Sequence, residues 1–211
     1  MDDMLRFASR DYCLMALLLA FSRSMDLIST RVATPNLVLE GNPIAKFLGW
    51  NGGIISSLLI SVGLAFWPVT AIAISTMSLL VAARNFQSAW LMRSMGEEHY
   101  RDWHVARIQE TPITLYLLCL AGNVLLTAAV GLGLIFFSKN MMIPQAIGLG
   151  IITYAVAVAY FTILALWRMR RAAARTEKRR LETSGVLINS VAFKSPLADS
   201  CACETSDLPG K

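Results

Sequence analysis

Charged residues are scarce in this chain, and their scarcity excludes an ordinary soluble domain. Asp, Glu, Lys and Arg make up 16% of the 211 residues, whereas hydrophobic residues make up 55%. Soluble globular proteins carry about 25% charged residues. The mean hydropathy is positive. We therefore expect an integral membrane protein, for which the lipid bilayer is the first partner.

Cysteine, histidine and recognisable catalytic motifs are also scarce. Only four cysteines occur, two in apolar stretches and two near the C-terminus, so no disulfide framework is indicated. The two histidines, His99 and His104, are five residues apart, which does not bring two ligands to one face of a helix. The sequence has no Gly-rich phosphate loop, G-x-S-x-G or H-E-x-x-H motif. We accordingly expect no metal and no cofactor, and we assign no catalytic residue.

Long apolar runs, in contrast, are abundant. A membrane-spanning helix needs about 20 mostly apolar residues, and five stretches are candidates: residues 12–28, 53–67, 69–92, 113–137 and 146–167. The predicted fold is an all-α, polytopic transmembrane helix bundle of about five spans in residues 1–167. A cytoplasmic basic helical extension and, from Glu182, a disordered tail are predicted in residues 168–211.

The distribution of Lys and Arg predicts the orientation. With five spans, the N-terminus outside and the C-terminus inside, 14 of the 19 basic residues lie on the cytoplasmic side. Nine of them follow Trp167, and such a cluster is attracted to anionic lipid headgroups. Because topology accounts for the basic charge, nucleic acid is not expected as a partner.

The polar stretch between the third and fourth spans predicts an interfacial helix that starts at Glu97. Tyr100, Trp103, His104 and Arg107 share one face of that helix. Aromatic and basic side chains of this kind are typical of helices that lie among lipid headgroups.

Polar side chains around the end of the first span form the first half of a candidate site. Arg23, Asp26 and Thr30 are spaced three and four residues apart, so they share one helical face that we expect to look into the bundle. The apolar segment from Arg31 to Leu39 is predicted to be a loop or a short re-entrant excursion.

The second half of the candidate site lies further along the chain. Glu40-Gly41-Asn42-Pro43 predicts a helix start, with Asn42 as N-cap and Pro43 as first helical residue. Arg84 and Asn85 in the third span are expected at a level comparable to that of Asp26. The predicted cluster has no net charge. Its members are Arg23, Asp26, Thr30, Glu40, Asn42, Arg84 and Asn85.

Two interpretations of this cluster remain open. Its two guanidinium groups and two carboxylates can neutralise one another and act as structural glue between the first three helices. Alternatively, Asp26 and Glu40 form a proton, cation or polar-substrate site, because ionisable groups inside a membrane often mark such pathways.

The same residues carry a resemblance to a protein family. Asp26-Leu-Ile-Ser-Thr30 followed by Glu40-Gly-Asn-Pro43 resembles an uncharacterised prokaryotic membrane-protein family with a D-x-x-S-T … E-x-N-P signature, over roughly residues 15–92. Asn85 is a looser match. Members of that family often have a basic residue in the second helix, and none lies between Gly53 and Trp67. The resemblance implies bacterial or archaeal origin and an integral membrane location, and it implies no reaction. We expect the protein in the cytoplasmic (inner) membrane of a bacterium.

Three functional classes follow, in order of preference. The first is a small accessory or scaffold membrane protein, which acts with a membrane-protein partner or as a homo-oligomer. The second is an ion- or proton-coupled transport component that uses Asp26 and Glu40. The third is a membrane-embedded lipid-modifying enzyme.

Overall fold

The computed structural model describes residues 4–36, 43–139 and 141–193, and in these residues every regular element is a helix. The helices are α1 (Arg10–Ala33), α2 (Pro43–Leu64), α3 (Pro68–Met95), α4 (Glu97–Glu110), α5 (Ile113–Phe137) and α6 (Met142–Phe193). The chain divides into two units, Met1–Trp167 and Arg168–Lys211. The all-helical prediction is confirmed for the described residues.

Within the described residues, four helical stretches are long and apolar enough to cross a membrane. They are α1, α3, α5 and residues Met142–Arg171 of α6. The second predicted span, 53–67, corresponds to a shorter apolar helix, Gly49–Leu64. Its earlier start follows from Gly49, where φ is 62° and α2 is kinked. Glycine has no Cβ and adopts this left-handed conformation without strain.

Several helix boundaries differ from those predicted. α1 continues to Ala33, so the loop predicted from Arg31 begins three residues later, just before Pro35. A residue that precedes proline is disfavoured in the helical conformation, and this ends the helix. α6 continues to Phe193, beyond the predicted start of the tail at Glu182, since no proline occurs between Pro144 in its first turn and Pro196. Residues 194–211 lie outside the described residues.

The helices α1 and α2 run antiparallel. The Trp50 indole Nε1–H donates to the carbonyl of Pro35 at 3.1 Å, so α2 begins beside the end of α1. At the opposite end, the Tyr12 hydroxyl donates to the Val62 carbonyl at 3.1 Å. Tyr12 also packs against Phe66, with 4.9 Å between the ring centroids. α2 therefore returns along α1 for most of its length.

The helices α1 and α3 run parallel and form the most extensive helix contact among the described residues. The buried residues that line this contact recur at intervals of three, four or seven residues. In α1 they are Leu19, Ser22, Ser29 and Ala33, and in α3 they are Ala71, Ser75, Ser78, Ala82 and Ala89. Such spacing keeps one narrow stripe of each helix against its neighbour. Serine and alanine allow the two backbones to approach closely. We call this contact the serine–alanine seam.

The helices α5 and α6 cross at two glycines. A Cβ added at Gly148 would lie 2.6 Å from the Gly131 carbonyl oxygen, so neither position has room for a side chain. Two residues further along α6, a Cβ at Gly150 would lie 2.5 Å from the carbonyl oxygen of Ala73. Glycines thus bring α6 into backbone contact with both α5 and α3.

Candidate functional site

An ion pair forms the centre of the polar cluster. Nη1 of Arg23 donates to Oδ2 of Asp26 at 2.8 Å, and each side chain is 19% exposed. Residues three apart on a helix lie on the same face, so α1 alone positions both groups. The pair predicted from the sequence spacing is present, and Arg23 is the counter-ion of Asp26.

The guanidinium of Arg23 also reaches the two neighbouring helices. Nη1 donates to the Ser78 hydroxyl of α3 at 3.3 Å, and Nη2 donates to the Ser57 hydroxyl of α2 at 3.4 Å. Ser78 is fully buried and Ser57 is 5% exposed. One cation therefore ties α1, α2 and α3 together through charge-assisted hydrogen bonds. We call Arg23, Asp26, Ser57 and Ser78 the arginine clamp.

A second polar link lies closer to the end of α1. The Asn85 side-chain amide donates to the hydroxyls of Ser29 and Thr30, at 3.3 and 3.1 Å. The Ser29 hydroxyl itself donates to the carbonyl of Asp26 at 2.8 Å. Asn85 thus fixes the register of α3 against α1, because it bridges two adjacent residues of that helix.

Two buried polar atoms near the seam have no hydrogen-bond partner in the described part of the chain. They are Nε of Arg23 and the hydroxyl of Ser75, whose residue is 2% exposed. An unpaired polar atom in a protein interior is costly, and water inside the bundle is the usual partner. The clamp is thus well bonded at both Nη atoms but not at Nε.

Of the seven residues predicted for the site, the structure brings together Arg23, Asp26, Thr30 and Asn85. Arg84 is exposed, and within the described residues no ion pair joins it to Asp26. Its guanidinium lies within electrostatic range of the Tyr116 phenol of α5. Glu40 and Asn42 lie outside the described residues. Pro43 does begin α2, as the sequence predicts.

The helix predicted to start at Glu97 is present as α4. It follows α3 through Gly96, whose φ of 81° favours glycine. The Tyr100 ring stacks on the imidazole of His104 with 5.7 Å between centroids. Burial lowers the pKa of His104 below its usual 6.5, because desolvation disfavours the charged imidazolium.

A cavity of about 490 Å³ opens between the start of α4 and the end of α1. The Asn36 backbone N–H donates to Oε1 of Glu97 at 3.1 Å across this region. The lining is mixed in charge and consists of Pro35, Asn36, Met92, Arg93, Gly96, Glu97, Glu98 and His99. Among the residues that the structure describes, no three His, Cys, Asp or Glu side chains are grouped to hold a metal ion.

Sequence reasoning missed the serines of α3. The apolar run before Arg84 predicts only a membrane span, yet Ser75 and Ser78 are buried in the seam and Ser78 accepts a hydrogen bond from Arg23. The signal that could have found them is the recurrence of small residues at intervals of three, four and seven positions from Ala71 to Ala89.

Comparisons of the chain with protein-family models, with curated proteins and with solved structures gave no match.

Proposed function

We propose that this chain is a small accessory or scaffold protein of a membrane, and that the arginine clamp is structural. The observation that carries this proposal is the bonding of Arg23 to three helices at once. Its charge is neutralised by Asp26 within the protein, and its Nη donors are directed at serines. A group held in this way stabilises one arrangement of the helices rather than a mobile ion.

The proposed topology has five spans, with the N-terminus outside and the C-terminus in the cytoplasm. The support is the parallel arrangement of α1 and α3. If both cross the bilayer in the same direction, the connection between them has to cross back, and Gly49–Leu64 of α2 is the apolar helix on that path. At 1.5 Å per residue its 16 residues reach about 24 Å, which is short for a bilayer core of about 30 Å.

The proposed location is the cytoplasmic membrane of a bacterium, in keeping with the resemblance to the prokaryotic family with the D-x-x-S-T … E-x-N-P signature. The basic residues after Trp167 would then contact anionic headgroups on the inner leaflet. A membrane-protein partner or a second copy would complete an accessory role.

A second candidate function is ion- or proton-coupled transport through Asp26 and Glu40. The observation that favours it is the unpaired Nε of Arg23 together with the unpaired Ser75 hydroxyl, since both would be satisfied by water inside the bundle. A hydrated carboxylate at this level could exchange a proton or bind a cation.

Thermal unfolding of Asp26→Asn, Arg23→Gln and the double variant in mild detergent separates the two functions. For a structural clamp, Asp26→Asn leaves a largely buried cation without its counter-ion and costs about 3 to 5 kcal/mol. The double variant should lose less than the sum of the single losses, because it leaves no orphaned charge. Strictly additive losses would contradict the clamp.

The transport alternative predicts a different pattern. If the site is hydrated, the Asp26→Asn variant stays folded because water screens the remaining charge of Arg23. Its pH-dependent uptake of protons or cations into proteoliposomes disappears.

Reporter fusions test the topology. Fusions after Lys139 and after Arg180 should report opposite sides of the membrane. The same side for both would disprove five spans.

A further inference from the structure

The cavity between the end of α1 and the start of α4 lies where two candidate spans end together. α1 ends at Ala33 and α3 ends at Met95, and because the two helices run parallel, both ends lie on the same side. The Asn36 backbone N–H, just after α1, donates to Oε1 of Glu97, just after α3, at 3.1 Å. The cavity of about 490 Å³ opens at this link.

The residues beside the cavity place it at the level of lipid headgroups. Pro35 lines the cavity, and its carbonyl accepts a hydrogen bond from Nε1 of Trp50 at 3.1 Å. The Arg31 guanidinium lies 5.6 Å from the centroid of the same indole. Tryptophan and basic side chains are typical of the boundary between a membrane and water. Since α1 and α3 are candidate spans, a lipid headgroup can reach the cavity from the side.

One carboxylate oxygen at the cavity has no hydrogen-bond donor. Glu97 is half-buried and lines the cavity, and its Oε1 accepts the Asn36 N–H. Its Oε2 is buried and has no hydrogen-bond partner in the part of the chain that the structure describes. A buried carboxylate oxygen without a donor is costly. A molecule bound in the cavity can supply the missing donor.

The cavity also has a cation without a counter-ion. Arg93 of α3 lines it and is exposed, and no carboxylate of the described residues forms an ion pair with its guanidinium. A second carboxylate, Glu98, lines the cavity next to Glu97, while Met92 and Pro35 add apolar surface. A ligand that complements this lining carries a cationic donor for the carboxylates and an anion for the guanidinium.

We propose that this cavity binds the headgroup of a zwitterionic phospholipid with a primary ammonium group, phosphatidylethanolamine. The ammonium donates a hydrogen bond to Oε2 of Glu97, and the phosphate accepts hydrogen bonds from the Arg93 guanidinium, which matches two phosphate oxygens. The acyl chains lie along the apolar surface of the spans that end beside the cavity. The inference rests on α1 and α3 crossing the membrane, and it does not depend on what the arginine clamp does.

Native mass spectrometry of the full chain in detergent tests the ammonium contact. The chain is titrated with phosphatidylethanolamine or with phosphatidylcholine of the same acyl chains, which keeps both charges but has no N–H donor. We expect the wild type to bind phosphatidylethanolamine about tenfold more tightly, the difference made by one charge-assisted hydrogen bond.

Two variants of the lining assign the contacts. Glu97→Gln keeps an oxygen acceptor for the Asn36 N–H but replaces the second oxygen by an NH₂ donor, so it should abolish the preference between the two lipids. Arg93→Gln should weaken binding of both lipids alike, because both carry the phosphate. Glu110→Gln is the matched control, since Glu110 pairs with Arg107 at the other end of α4, and it should leave the preference unchanged.

Four results would overturn the proposal. Equal binding of the two lipids by the wild type would exclude the ammonium contact, and this comparison does not require any variant to fold. A preference that persists in Glu97→Gln would exclude Glu97, and a preference lost equally in Glu110→Gln would indicate general charge. Binding of glycerophosphoethanolamine, the headgroup without acyl chains, as tight as that of the lipid would indicate a soluble zwitterion.

Discussion

Helices α3 and α5 are both candidate membrane spans, yet they differ in opposite directions in hydropathy and in burial. An 18-residue apolar stretch of α5 has a mean hydropathy of 2.1 and is 6% buried inside the protein, whereas that of α3 has 1.4 and is 33% buried. The more hydrophobic helix is therefore the less buried one. In a bilayer the apolar phase is the lipid, so hydrophobicity measures contact with lipid, and small or polar residues indicate contact with other helices.

The largest effect is expected when a large side chain is placed in the buried seam, compared with removal of a large side chain from exposed α5. Ser78→Leu should destabilise the protein by roughly 3 kcal/mol, because it overfills the fully buried seam and removes a hydrogen bond to Arg23. Leu126→Ala on α5, where Leu126 is 73% exposed, should cost less than about 0.5 kcal/mol. Thermal unfolding in detergent measures both. A larger loss for Leu126→Ala would mean that another protein surface covers α5.

The glycines give a second test, with an expected loss of about 1 to 3 kcal/mol. Gly150→Ala places a Cβ 2.5 Å from the Ala73 backbone oxygen, so α6 and α3 have to move apart to make room for it. Gly133→Ala on α5 is the matched control, since a Cβ there meets nothing within 4 Å. It should leave stability unchanged or raise it, because alanine favours the helix. Equal losses for both variants, measured by thermal unfolding, would contradict close packing of α6 on α3.

The smallest effect is expected for the asparagines. Asn85→Ala removes the amide that bridges Ser29 and Thr30, and hydrogen bonds between membrane helices contribute on average about 0.6 kcal/mol and at most about 1.7. Asn123→Ala on α5 removes an exposed amide and should have no measurable effect. Chemical denaturation of the two variants side by side would resolve the difference. A loss confined to Asn123→Ala would reverse the assignment of the packed and lipid-facing helices.

The candidate site could be predicted in part, and the limit has a physical cause. Arg23 and Asp26 are three residues apart on one helix, and helix geometry alone makes them neighbours. Asn85 was expected in the cluster, and it does contact α1. Arg84, its immediate neighbour, was expected there as well, but adjacent residues on a helix point about 100° apart and only one of them faces α1.

The sequence by itself determined that the chain is helical and membrane-compatible, because the length and hydropathy of its five apolar runs depend only on the local sequence. It also determined where α3 and α5 begin to within a residue, since Pro68 and Pro112 end the preceding segment. Only the tertiary structure decided which serines hold Arg23 and which side of α3 packs against α1. Those choices depend on the rotation of each helix about its axis, which is set by packing against neighbours distant in the chain.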